Sequence, residues 1–303
     1  MNKHAYLILA HNQPEILEIL LKELDIKEND IYIHLDVKSD ISKDHLNTIV
    51  KNASLFFTER LSIQWGGYSI VEATLKLLDR ALKTEHIYYH FLSGVDLPLR
   101  DIGAINKFYE ENIGKQFIRF FSEEKAKTEY DSRFGYKSYF RDKFGRTRNI
   151  WAILNRIGLT LQKGLHIYDD RLKNCFHIGS QFWDITEELA RDLVDNKARF
   201  EKLYKYTSCS DEIFVQTYIY GTKYMNDLWI PYNCEGNGME SNKRYIDFTD
   251  EYKGSPHTII ETDIDKLVKS GLNFARKFDT KNIEAIELLY SKRGESLNLR
   301  DSR

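Results

Sequence analysis

The chain has 303 residues, 42% of them apolar and 30% charged, enough for one large or two moderate soluble domains with a real core. Its net charge of −2 excludes a global field that draws it to nucleic acid or anionic lipid, so such contacts fall to local basic patches. Three scattered cysteines, Cys175, Cys209 and Cys234, have neither metal-ligand nor disulfide spacing and fit a reducing compartment.

Aromatic residues make up 13% of the chain, and the flat apolar faces and polar edges of Tyr and Trp suit sugar rings and nucleobases as well as core packing. Residues 1–4 run straight into six apolar residues, 5–10, with no charged leader and no cleavage site, so this run reads as a buried strand. No window approaches the roughly 18 apolar residues of a membrane span. The expectation is a cytoplasmic protein, with a surface able to touch the inner face of the cell membrane.

Strand 5–10 ends at His11-Asn12-Gln13, and Pro14 opens an amphipathic helix over 15–24. A second apolar strand, 31–36, ends in the carboxylate Asp36. Apolar strand, helix, apolar strand is the pattern of a parallel sheet covered on both faces, and ligands of such sheets sit beyond the strands' carboxyl ends. His11, Asn12, Asp36 and Lys38 are therefore pocket candidates. No G-x-G-x-x-G follows the first strand and no G-x-x-x-x-G-K-[ST] occurs, which argues against dinucleotide-binding and P-loop enzymes.

A short strand at 55–57 precedes Trp65-Gly66-Gly67-Tyr68-Ser69, where the glycine pair lets the backbone approach something closely and Ser69 can cap a helix over 70–82. Strand 86–92 leads to Ser93-Gly94-Val95-Asp96, a fourth strand end carrying polar groups to one side. Between Lys125 and Lys163 lie ten Lys or Arg interleaved with aromatics and with little strand signal, so 122–172 reads as a helical or loop insertion. Solvated charge, an acceptor lid and a contact with anionic lipid are its three readings.

Residues 176–185 form a strand-like run around Gly179-Ser180-Gln181, and Thr186 caps the helix that follows. The stretch Thr207-Ser208-Cys209-Ser210-Asp211-Glu212 then sets two carboxylates before an apolar run whose period fits a helix but leaves a strand open. As a helix, Ser210 is its N-cap and the carboxylates occupy the first turn; alternatively one of them stands at a cleft edge as a general base. Strand 228–231, a Gly- and Asn-rich loop at 232–242 that reads as a mobile element, and the segment Arg244-Tyr245-Ile246-Asp247-Phe248 follow. A helix from Asp265 is expected to end in Phe274-Ala275-Arg276-Lys277-Phe278-Asp279, and 281–303 reads as a polar tail.

Eight of these segments, in this order, resemble the core-2/I-branching glycosyltransferases, family 14, which also contains the peptide xylosyltransferases. They are 5–12, 33–38, 65–69, 92–99, Gly179-Ser180-Gln181-Phe182-Trp183, Ser210-Asp211-Glu212, Arg244-Tyr245-Ile246-Asp247-Phe248 and 274–279. The resemblance implies an α/β GT-A fold with a mostly parallel central sheet, as one catalytic domain over 1–280. Its nucleotide-sugar half is 1–121, the insertion 122–172 and the acceptor and catalytic half 173–280. It implies inverting transfer from a UDP-sugar, GlcNAc first and xylose, galactose or glucose as alternatives, to a glycan or lipid-linked glycan in polysaccharide synthesis. A non-catalytic glycan-binding protein on the same fold is the other reading.

Under the resemblance Glu212 is the general base, with Asp211 as its local competitor and without the family's intervening proline. No cofactor is expected, since the family replaces a metal on the diphosphate with a Lys and an Arg. Lys277 matches that Lys. The Arg position falls on Gly254, which leaves Lys253, His257 and Arg276 as substitutes. Asp36 and Lys38 with His11 are expected at the uridine end, and Trp65, Gly66, Gly67, Asp96, Ser180, Gln181, Trp183, Arg244 and Tyr245 around donor and acceptor. Asp263-x-Asp265 reads as a helix start.

Overall fold

The computed structural model describes residues 3–234, 237–248 and 255–295. Its first half runs β1 (His4–Ala10), α1 (Pro14–Leu24), β2 (Asn29–Leu35), α2 (Lys43–Ile49), β3 (Ser54–Phe57), α3 (Ser69–Ala81), β4 (Tyr88–Ser93), β5 (Leu97–Pro98) and α4 (Ile102–Glu110). The stretch 122–172 supplies α5 (Glu123–Tyr130), α6 (Arg141–Phe144) and α7 (Ile150–Gly164). There follow β6 (Asp184–Ile185), α8 (Glu187–Asp195), α9 (Lys197–Tyr204), α10 (Phe214–Ile219), β7 (Arg244–Ile246), α11 (Ile264–Lys269), β8 (Phe274–Arg276) and α12 (Ile283–Arg293).

The main sheet has the order β3-β2-β1-β4-β6. Its first four strands are parallel and only β6 is antiparallel. Side chains of β1 alternate between two cores, Ala5 and Leu7 into one, Tyr6 and Ile8 into the other, which is why its sequence is apolar throughout instead of alternating. The first core takes residues from α3, α8, α9 and α10, the second from α1, α4, α11 and α12. A small sheet, β5-β8-β7, adjoins the second core. The expected α/β class with a mostly parallel sheet between helices is what the chain forms.

Several expected elements differ. The run 176–185 is a strand only at its last two residues, because Gly179 instead packs its Cα against the Arg119 carbonyl in an isolated pairing with Phe120. The expected strand 228–231 reduces to a single pairing of Leu228 with Gln116. The late helix stops at Lys269, where Gly271 takes a positive φ of 69°, and Phe274–Arg276 is a strand in the small sheet. Of the expected tail from 281, 296–303 lie outside the described residues, and Ile283–Arg293 form α12, whose Ala285, Ile286, Leu289 and Tyr290 are buried in the second core. This is the spacing of one helix face, hidden among polar neighbours.

One buried polar network ties β1, β4, α4, β6 and β7 together. The Asp184 carboxylate accepts from His90 (2.8 Å), from the Tyr109 hydroxyl (2.5 Å) and from both Arg244 nitrogens (2.9 and 2.5 Å), and His90 contacts His4 at 2.9 Å. Burial would push the Asp184 carboxyl up, but Arg244 and His90 outweigh it and hold it below the usual range.

Candidate active site

A cavity of about 720 Å³ opens beyond the carboxyl ends of β1, β2 and β4, where a parallel sheet leaves a crevice. His11, Asn12 and Gln13 enter it from the end of β1, and Asp36 and Lys38 from the end of β2. Asp36 is buried and commits its oxygens to the backbone N–H groups of Lys38 (2.7 Å) and Ile63 (3.0 Å), while Lys38 Nζ donates to the Ile63 carbonyl at 2.7 Å. The carboxylate thus fixes the loop that leads to Trp65.

The turn carrying Asp211 and Glu212 is a 3-10 segment, Ser210–Glu212, and Ile213 caps the separate helix α10. Ser210 is therefore not the N-cap of that helix, and the two carboxylates do not occupy its first turn. Cys209 before them holds a positive φ of 52°, pinned by its N–H bond to the Gly66 carbonyl at 2.8 Å. On the far side the Glu212 carbonyl accepts from Gly179 N–H at 2.8 Å. The turn is fastened at both ends, and both carboxylates line the cavity.

Their surroundings differ. The Glu212 side chain is partly exposed and accepts from Arg133 Nη1 at 2.6 Å. Asp211 is buried, its Oδ1 has no partner among the described residues, and burial, helped by the Glu212 charge, pushes its carboxyl up to about 7. The same burial, with Asp211 next in weight, pushes the Cys209 thiol up to about 12, so this sulfur is no nucleophile at neutral pH.

Arg276 and Lys277 come from the end of β8 and line the cavity. Arg276 lies over the Phe182 ring at 4.1 Å with its Nε 3.3 Å from Asp96 Oδ1, and Lys277 Nζ donates to Ser255 Oγ at 3.0 Å. Arg119, from the chain between α4 and α5, also lines the cavity; no carboxylate among the described residues pairs with it, and desolvation lowers its pKa. Trp65 is covered by Arg146 at 4.1 Å and Arg141 at 5.0 Å.

The cavity brings together His11, Asp36, Lys38, Trp65, Gly66, Ser180, Gln181, Asp211, Glu212, Arg276 and Lys277 of the residues expected there. Others stand elsewhere. Asp96 is buried behind the wall, bound to Ser93 Oγ at 2.5 Å and facing Arg276, so it positions a cation. Trp183 stacks on Phe91 at 5.0 Å in the first core, and Arg244 belongs to the Asp184 network. Tyr245 is buried and donates to Asp247 at 3.2 Å. His257 pairs with Asp263 at 2.9 Å outside the cavity lining. Lys253 and position 254 lie outside the described residues, as do 235–236 of the expected mobile loop, whose end is tied down by Asn242 donating to Ser180 Oγ at 3.0 Å.

Gly67 does not line the cavity: a Cβ there would strike the Asp142 carboxylate, which accepts from the N–H groups of Tyr68 (3.1 Å) and Ser69 (3.2 Å). Asp142 of α6, not Ser69, thus caps α3. The sequence does not mark Arg119, Arg133 and Arg146 as site residues: Arg133 and Arg146 sit in a stretch whose charge looks merely solvated, and Arg119 stands alone between the apolar Ile118 and Phe120. Among the described residues no three His, Cys, Asp or Glu cluster as a metal site; Asp265 pairs with Lys292 at 2.8 Å, and Asp263 accepts from Ile260 N–H at 3.0 Å.

The family model for core-2/I-branching enzymes matches residues 4–269, well over half of the chain, which therefore belongs to that family and is a glycosyltransferase. No curated protein sequence matches it. Among solved structures it is similar to mouse xyloside xylosyltransferase 1 in its apo form, at 9% identity over 72% of this chain and 82% of that one, with a TM-score of 0.32.

Proposed function

We propose that this core-2/I-branching glycosyltransferase moves a sugar, GlcNAc before xylose, galactose or glucose, from a UDP-sugar to a glycan hydroxyl in β linkage during cell-surface polysaccharide synthesis. One observation carries the reading: a single cavity sets a fastened carboxylate, Glu212, among the cations Arg276, Lys277 and Arg119. In the proposed step Glu212 takes the proton from the acceptor hydroxyl as its oxygen bonds to the anomeric carbon. The bond from that carbon to the diphosphate oxygen breaks, and its electron pair leaves with UDP. Charge grows on the diphosphate as the sugar passes through an oxocarbenium-like state, and fixed cations in a desolvated pocket stabilise it where water would have to reorganise.

The donor end is supported by the His11, Asp36 and Lys38 corner, with Trp65, over which Arg146 and Arg141 lie, lining the cavity beside it. Arg276 is the best-placed substitute for the arginine that the family pattern puts at 254, since Asp96 orients it and it reaches the cavity beside Lys277. The reaction is proposed to be metal-independent on the strength of these cations. Release of UDP from a panel of UDP-sugars with a glycan acceptor, with and without EDTA, tests it. EDTA-insensitive turnover fastest with UDP-GlcNAc is expected; turnover abolished by EDTA and restored by a divalent ion contradicts the metal-free step, and a faster UDP-xylose or UDP-hexose replaces the donor.

A further inference from the structure

Helix α7 is amphipathic in the reverse sense of a helix in a soluble fold. Ile150, Ile153, Leu154, Ile157, Leu161 and Leu165 follow the spacing of one helix face, and each is exposed, by 38% to 68%. The opposite side is buried and polar: Asn155 accepts from Phe140 N–H (3.2 Å) and donates to Ser138 Oγ (2.9 Å), and Gln162 accepts from Lys137 N–H (2.8 Å) and donates to its carbonyl (2.9 Å). The helix is anchored by amide hydrogen bonds and turns its apolar stripe to the outside. A stripe of this size in water needs a partner.

Charge says which. Residues 143–168 contain five Lys or Arg (Lys143, Arg146, Arg148, Arg156 and Lys163) and no Asp or Glu, inside a chain of net charge −2. A symmetric pair of copies joined through the stripe would bring two such cationic rims together, which opposes it. An anionic bilayer surface satisfies both the stripe and the rim. At 15 residues α7 is roughly 22 Å long, too short to cross the hydrocarbon, and no helix among the described residues is long and apolar enough to do so.

We propose that α7 docks flat on an anionic bilayer, with its apolar stripe at the headgroup–acyl boundary and its cations on the lipid phosphates. Arg146, four residues before Ile150, lines the cavity, so the docked helix brings the cavity mouth to the bilayer surface. The acceptor class that fits is a glycan carried on a lipid. This last step rests on the transfer reaction proposed above; the docking does not.

Flotation of the purified chain without donor or acceptor, using vesicles of phosphatidylcholine alone and mixed with phosphatidylglycerol, tests the docking. The expected result is co-flotation with the mixed vesicles that weakens as salt rises. Ile157→Glu with Leu161→Glu lowers the bound fraction at least about tenfold, with the melting temperature and UDP release to a soluble acceptor unchanged. Arg156→Glu with Lys163→Glu, which leaves the stripe intact, loses the preference for anionic lipid. No binding to either vesicle, or a dimer that the Ile157→Glu, Leu161→Glu pair dissolves, overturns the docking. Loss of UDP release with docking intact would instead strike at the transfer reaction.

Discussion

Arg133, in the basic stretch 122–172, stands 2.6 Å from the Glu212 carboxylate, so a segment whose charge reads as solvated in sequence reaches into the turn of the candidate base. It lies in the π-helical turn after α5, and Glu129, one turn earlier, pairs with its Nε. Burial would weaken the guanidinium's hold on its proton, but the Glu212 and Glu129 carboxylates outweigh it and keep Arg133 charged. A planar fork held from two sides fixes the carboxylate's rotamer. Arg133→Met is expected to lower kcat about tenfold or more with donor KM little changed, and Arg133→Lys to recover part of it. Equal losses for both variants in KM alone would assign Arg133 to donor binding.

Asp211 gives a pH signature. Its carboxyl, ordinarily near 3.8, is pushed up to about 7, chiefly by burial, so between those values the folded chain holds a proton that the unfolded chain has released. This group's contribution therefore favours folding most below about pH 4 and is lost as pH rises towards 7. Asp211→Asn is expected to melt above the wild type at pH 8, by on the order of a few kcal/mol, and to converge with it near pH 4. Melting curves that stay parallel across this range contradict the assignment.

The Asp184–Arg244 pair is structural. Removing one partner strands a buried charge, so Arg244→Met is expected to cost about 3–5 kcal/mol in urea unfolding, and Asp184→Leu with Arg244→Met to recover much of it. The folded fraction of Arg244→Met keeps its donor KM. A large KM change at unaltered stability would return Arg244 to the donor pocket.

Gly67 and Asp142 are coupled by space. Asp142→Ala removes the cap of α3 and is expected to cost about 1–2 kcal/mol. Gly67→Ala displaces the same carboxylate, so adding it to Asp142→Ala costs far less than adding it to the wild type. Additive losses in thermal melts would mean that Gly67 serves another contact.

What the sequence made legible follows from where the information lies. The parallel sheet could be read because β1, β2 and β4 are internal strands, apolar on both faces, and the cavity because strand ends carry polar residues. Arg244 was misplaced because an arginine buried against Asp184, 60 residues away, has no local mark. Arg133 has no local mark for a similar reason, since a basic stretch looks alike whether solvated or aimed inward, and Arg119 has none because a single cation in the apolar run 117–121 does not say whether it faces a cavity. The outward stripe of α7 is periodic, but its direction is set by the hydrogen bonds of Asn155 and Gln162, which periodicity does not contain.

The central claim is that Glu212 is the general base, and steady-state UDP release by Glu212→Gln beside Asp211→Asn tests it most directly. Glu212→Gln is expected to lower kcat by about 10²–10⁴ while the donor still binds, and Asp211→Asn to keep at least about a tenth of the activity. Full activity of Glu212→Gln, with the loss falling on Asp211→Asn, would contradict it and make the buried neighbour the base.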